Sequence, residues 1–228
     1  VTVSCSETVD DAAIDMLIGA FPVGSGAPQE AMYPTAGSGH EGIVIPAQIG
    51  FAVTGSSLKR LGLPYSGSIP VLANVLNYTY LWNSIRVQGG AYGCGFVGRD
   101  TGDLLFYTYR DPKPARSIGV MRDAAAFVRE FAASDPDLTG FILSAVSSVD
   151  PLRTADVKMA AGDNRFFRGI TEEEMIERYR TLIRTTPKDL IDLCGMLEGV
   201  ANTPCVCVTA GRELLDTCKD ELKDILTV

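Results

Sequence analysis

Residues 81–96 read LWNSIRVQGGAYGCGF, and no other stretch limits the fold as tightly. Upstream, the apolar residues Val71, Leu72, Val75, Tyr78, Trp82 and Ile85 recur three and four apart. That spacing predicts a helix from Ser68 to about Val87 with one buried stripe. The helix runs into Gly89, Gly90 and Gly93. Beyond that corner the period changes. Residues 91–98 and 103–110 read as two strands joined by RDTG, with Gly102 closing the hairpin. Three purposes for the corner stand open: it cradles a phosphate, it is a tight turn only, or it aims Arg86 and Tyr92 at a bound molecule.

The rest of the chain supplies the elements around that corner. Residues 1–6 read as a strand, and 7–21 as a helix with Thr8 as N-cap and Asp11 three residues on. Pro22 ends it, and residues 23–40 read as a Gly/Ser/Pro loop or linker. Residues 42–55 form a β-branched run, read as one long strand with Pro46 at an edge or bulge. Helices are expected at 115–134, 135–151, 169–184 and 185–200. Thr171 with Glu174, and Thr186 with Pro187 and Asp189, give the last two their starts. TPCVCVTAG reads as a last strand and RELLDTCKDELKDIL as a last helix. This order predicts an α+β fold, a largely antiparallel sheet with helices on one face. Its parts are a leading strand and helix at 1–22, a loop at 23–40 and a sandwich at 41–228. The opening VTVSCS reads as a strand already under way, so the expectation is one domain of a longer protein.

Composition narrows the function classes. The 228 residues suffice for a sizeable core, and 46% apolar with 21% charged residues is a folded globular composition. With 20 Lys+Arg against 28 Asp+Glu and no dense basic run, nucleic acid and anionic membrane are excluded as expected partners. No run reaches the length of a membrane-spanning helix, and there is no signal-peptide pattern. Six cysteines sit mostly in apolar runs without a C-x-x-C pair, which predicts buried free thiols in a reducing compartment. Cys205 and Cys207 alternate and should share one strand face. With His40 the only histidine, they do not make a zinc site.

Several motifs fail on context. GCGFVG at 93–98 has the letters of a dinucleotide fingerprint, but a helix precedes it, a strand follows, and Ile118 stands where an acidic residue is needed. Close backbone approach by another segment or a ligand explains those glycines better. No G-x-S-x-G is present, and HEG at 40–42 is not part of a metallopeptidase motif. His40 reads as a solvated loop histidine. Glu172, Glu173 and Glu174 fall in a first helical turn, where the dipole favours them without a ligand. Arg86 and Tyr92 remain. Read alone, they are a surface arginine at a helix end and a tyrosine packed in a strand.

YLWNSIRVQGGAYGCGF followed by GDLLFYTYRDPK resembles the C-terminal half of pitrilysin/insulysin-type zinc metallopeptidases, nearest to the presequence-protease subfamily. The matching positions are Leu81, Trp82, Asn83, Ile85, Arg86, Gly89, Gly90, Ala91, Tyr92 and Gly93, then Tyr109, Arg110, Asp111 and Pro112. Weaker similarity extends over roughly residues 40–210. The resemblance implies two halves that close over an unfolded peptide. The N-terminal half carries a His-x-x-Glu-His motif and the zinc. The C-terminal half contributes an arginine and a tyrosine, here Arg86 and Tyr92. Physically, glycines at 89, 90 and 93 let a substrate backbone come near, with Gly89 and Gly90 the expected substrate-binding positions. The resemblance implies a bacterial cytoplasmic location, or an organellar matrix in a eukaryote. This chain lacks the zinc motif, so it resembles the non-zinc half, with zinc and the partner half supplied by the parent and no metal bound here. Two alternatives stay open: an inactive scaffold or binding subunit of the same superfamily, and a small-molecule enzyme built on the glycine hairpin.

Overall fold

The computed structural model describes residues 10–21, 24, 39–202 and 205–227. The strand expected at 1–6, the cap expected at Thr8 and nearly all of the 23–40 loop lie outside them. The chain divides into two compact units, 1–35 with 151–175 and 36–150 with 176–228. The segment 151–175, read from sequence as part of the sandwich, thus groups with the N-terminal residues.

In the first unit a helix spans Asp11–Gly19. Its N-cap is Asp10, whose carboxylate accepts from the Ala12 N–H at 3.1 Å. A second helix, Ala155–Arg168, was not anticipated from sequence, yet its signals are there: Asp156 in the first turn and Gly169 as a left-handed cap at φ 66°. Neither helix buries a residue.

Among the described residues the second unit holds a six-stranded sheet. Its strands are β1 (His40–Val44), β2 (Phe51–Ser57), β3 (Gly93–Gly98), β4 (Asp103–Tyr109), β5 (Cys205–Ala210) and β6 (Asp224–Thr227), in spatial order β3-β4-β2-β5-β1-β6. The pairs β3–β4, β4–β2 and β2–β5 are antiparallel, while β1 runs parallel to β5 and β6. The fold is α+β. The strand expected at 42–55 is two strands that are not neighbours. Pro46 has no N–H to give a ladder, and the chain turns where the Ala47 N–H reaches the Ile45 carbonyl at 2.9 Å. The terminal helix expected at 212–226 stops at Thr217, and its Ile225 and Leu226 pair with β1 as β6. The helix expected at 115–134 divides at Asp123 into Pro114–Arg122 and Ala124–Ala133. Thr186 and Asp189 do form a capping box.

Alternation along the strands separates two faces. Ala52, Phe96, Leu104, Phe106, Val206, Val208 and Ala210 are buried on one, where the helices supply the rest of the core. Val53, Tyr107 and Tyr109 stay exposed on the other. Cys205 and Cys207 share this second face, opposite Gly55 and Val53.

The helix that leads to the glycine corner begins as Ile69–Val75 and continues as a π-helix over Leu76–Val87. Val71, Leu72, Val75, Leu76, Leu81 and Ile85 are buried, but Tyr78 is 63% and Trp82 44% exposed. The expected packing of Tyr78 and Trp82 against the sheet is therefore corrected. The i→i+5 bonds widen the turn. Past Val75 the buried positions step by five and four rather than by three and four, which turns Tyr78 and Trp82 outward.

Candidate functional site

The corner is built by hydrogen bonds that end the π-helix and start the edge strand. The Gln88 N–H reaches the Asn83 carbonyl at 3.0 Å, the Gly90 N–H the Arg86 carbonyl at 3.0 Å, and the Ala91 N–H the Ile85 carbonyl at 3.2 Å. Gly90 takes φ 85°, a region that disfavours any side chain. A Cβ on Gly89 would lie 2.3 Å from the Ile85 carbonyl oxygen. Gly89 is buried and Gly90 exposed, so of the two glycines expected at a substrate only Gly90 presents its backbone. The last turns are tied by one bond from a neighbouring helix and one within the helix itself. Arg116 donates to the Ser84 carbonyl at 2.6 Å, and the Asn83 amide to the Thr79 carbonyl at 2.8 Å.

Tyr92 follows the corner immediately. Its N–H donates to the Tyr109 carbonyl at 3.1 Å, which pins it to β4. Its ring meets Tyr109 edge-on at 5.9 Å, and Tyr109 meets Phe51 at 5.3 Å. The side chain is nonetheless 64% exposed. Among the described residues its hydroxyl has no hydrogen-bond partner.

Arg86 comes from the other side of the corner. Its guanidinium carbon lies 4.1 Å from the Trp82 ring centroid and 5.7 Å from that of Tyr92. Among the described residues it makes no ion pair. The fold thus brings together the two side chains that sequence singled out, and adds three it did not: Trp82, Tyr109 and Arg116. The three-and-four spacing places Trp82 in the core stripe. Its four-residue offset from Arg86, inside the polar stretch WNS, was the available signal.

Cys94, one residue into β3, is not a nucleophile for this site. Its thiol donates to the Leu81 carbonyl at 3.3 Å. Burial pushes it up to about 11, reinforced by the Asp111 carboxylate and opposed by Arg86. At the other end of the sheet a groove of about 740 Å³ is lined by His40, Arg60, Arg122, Glu198, Glu221 and Lys223 among others. There Arg122 pairs with Glu221, and Arg129 with Glu198 at 2.5 Å. His40 is a half-buried first residue of β1, its Nδ1 3.1 Å from the Glu221 carbonyl oxygen, and not the loop histidine expected. Chemically, Arg86 and Tyr92 offer a guanidinium and a phenol as donors, and among the described residues neither has a carboxylate partner.

Among known proteins, the family profile described as the PreP C-terminal domain matches residues 40–211. Presequence protease 1, chloroplastic/mitochondrial, of Arabidopsis thaliana is 27% identical over 191 residues, covering 83% of this chain and 18% of that protein. The mitochondrial presequence protease of Candida albicans is 34% identical over 155 residues, 65% of this chain and 14% of its own length. Protein HypA of Clostridium perfringens is 23% identical over 192 residues, 84% of this chain and 20% of its length. The chain spans a fifth or less of these relatives. A solved peptidase M16 inactive domain from Pseudomonas fluorescens shares the fold at TM-score 0.55 and 11% identity, over 88% of this chain and 50% of that one. The run from β1 to the end of β5, glycine corner included, is what the family profile covers, and the chain belongs to the PreP C-terminal domain family.

Proposed function

We propose that this chain is the non-zinc domain of a longer zinc metalloendopeptidase that degrades unstructured peptides, and that Arg86 and Tyr92 donate hydrogen bonds to the peptide at the reacting carbonyl. One observation carries this reading: a half-buried guanidinium at the end of the π-helix and an exposed phenol just past the corner converge, and among the described residues neither has a carboxylate partner. A surface arginine with a purely structural role gains from an acidic partner, and this chain has 28 acidic residues to offer. Donors held ready at a carbonyl oxygen that gains charge are the arrangement acyl chemistry needs. Gly90 leaves room for the peptide backbone, and Gly89 builds the turn beneath it.

Among the described residues no three His, Cys, Asp or Glu side chains converge on one point. In this reading the zinc belongs to the N-terminal half of the parent, and this domain's part is to close the chamber and present its donors. The exposed face with Val53, Tyr107 and Tyr109 fits a wall that meets extended peptide. Relatives named for mitochondria and chloroplasts support an organellar matrix, and the free cysteines suit that compartment or a bacterial cytoplasm alike.

The test uses the full-length parent. Tyr92→Phe and Arg86→Ala should each lower kcat/KM on unstructured peptides by about 10²–10³-fold, with zinc content and folding unchanged. Near-wild-type kinetics for both variants refutes the donor roles and favours a scaffold.

A further inference from the structure

Arg86 presents a positioning problem. An arginine carries several rotatable bonds, and one that must meet a substrate carbonyl has to be held before the substrate arrives. The common holder is a carboxylate, which grips the guanidinium edge and occupies its N–H donors in pairs. Arg86 has no such partner among the described residues. What it has is the Trp82 ring at 4.1 Å, with the Tyr92 ring on the second approach at 5.7 Å.

We infer that Trp82 is a positioning residue: its indole face holds the Arg86 guanidinium and leaves the donors at its edge free for a peptide carbonyl. The inference rests on the donor reading of Arg86 given above. The attraction is between the cation and the ring's electron-rich face, and tryptophan is the strongest of the aromatic partners. It engages the π-surface of the guanidinium, whereas hydrogen bonds leave in the guanidinium plane.

The platform under Trp82 is rigid. Leu81 and Ile85, on either side of it in the same π-helix, are fully buried and fix the helix rotation. Arg116, from the helix Pro114–Arg122, ties the last turn at the Ser84 carbonyl. Trp82 itself is 44% exposed, so it contributes little core packing for its size. A large aromatic placed half in solvent, on a braced helix and over a cation without a carboxylate, has the guanidinium as its main partner.

The experiment is a double-mutant cycle in the full-length parent, read as kcat/KM on an unstructured peptide, with zinc content and thermal midpoint measured for every variant. Trp82→Leu keeps apolar bulk and removes the π-face, and should lower kcat/KM about 5–30-fold. Trp82→Phe keeps a face and should recover most of that loss. In an Arg86→Ala background, Trp82→Leu should cause no further loss, because there is no guanidinium left to hold. Trp82→Leu at the wild-type rate, or a loss that persists undiminished in the Arg86→Ala background, overturns the inference while the donor reading stands. Arg86→Ala at the wild-type rate removes the donor reading and this inference with it.

Discussion

Asn77 joins the two elements that carry the candidate site. Its Oδ1 accepts from the Phe96 N–H at 2.6 Å, and its Nδ2 donates to the Phe96 carbonyl at 3.1 Å. Phe96 is 1% exposed and lies on β3, the edge strand. The side-chain amide therefore does for this edge what a neighbouring strand would do. Asn77→Leu keeps the forked shape of the side chain and leaves one N–H and one C=O unpaired. Each unsatisfied buried group costs about 1–3 kcal/mol. Asn77 is half-buried, so water reaches part of the gap, and leucine is the better helix former by a few tenths of a kcal/mol. The expected loss is about 2–4 kcal/mol, read as a lower urea midpoint at unchanged slope. A loss under about 1 kcal/mol would refute the bridging role.

Asn77→Asp sharpens the test. An ionised aspartate still accepts from the Phe96 N–H but sets a negative oxygen against the Phe96 carbonyl. Protonated, it both donates and accepts as asparagine does. The folded state should thus hold that proton more tightly than the unfolded chain, which raises the folded pKa. The sign follows: the variant's stability is fully recovered below the unfolded carboxyl range and is lost as pH rises through the folded pKa. A variant whose deficit relative to the parent does not shrink on acidification would contradict the geometry.

Two further outcomes are open to simple measurement. Gly89→Ala puts a Cβ against the Ile85 carbonyl and should destabilise by about 1–3 kcal/mol in urea unfolding; an unchanged midpoint would show that the corner relaxes freely. Cys94, with its thiol pushed up to about 11, is about one part in a thousand thiolate at pH 8. Exposed Cys205 should therefore be alkylated by iodoacetamide first, as peptide mapping would reveal, and equal rates would mean that Cys94 is more open than its burial implies.

The hairpin, the capping box at Thr186, and the Arg86–Gly90–Tyr92 corner were legible because each depends on neighbours in sequence. Gly102 at φ 98° closes the turn where RDTG predicts it. What was not legible depends on distant partners. The run 42–55 is apolar and β-branched from end to end, and only pairing with β5 and β4 divides it at Pro46. The last residues read as helix because KDELKDIL has helical composition. They form β6 because β1 offers an unpaired edge and Leu222 and Ile225 fill the space over Gly42. The missed helix Ala155–Arg168 carries Asp156 in its first turn and a left-handed cap at Gly169, but it buries none of its residues.

The error at Trp82 has a different origin, and it bears on function. A period of 3.6 places Tyr78 and Trp82 on the core side. The π-winding places Leu76, Leu81 and Ile85 there instead. Of the apolar residues it turns outward, Trp82 lies 4.1 Å from the guanidinium carbon of Arg86. Departures from local rules gather where a fold gives up packing for a site, and here the departure is a change of helical winding that ends at the glycine corner. The π-segment, more than the glycines, is what makes this end of the domain different from an ordinary helix-to-strand turn.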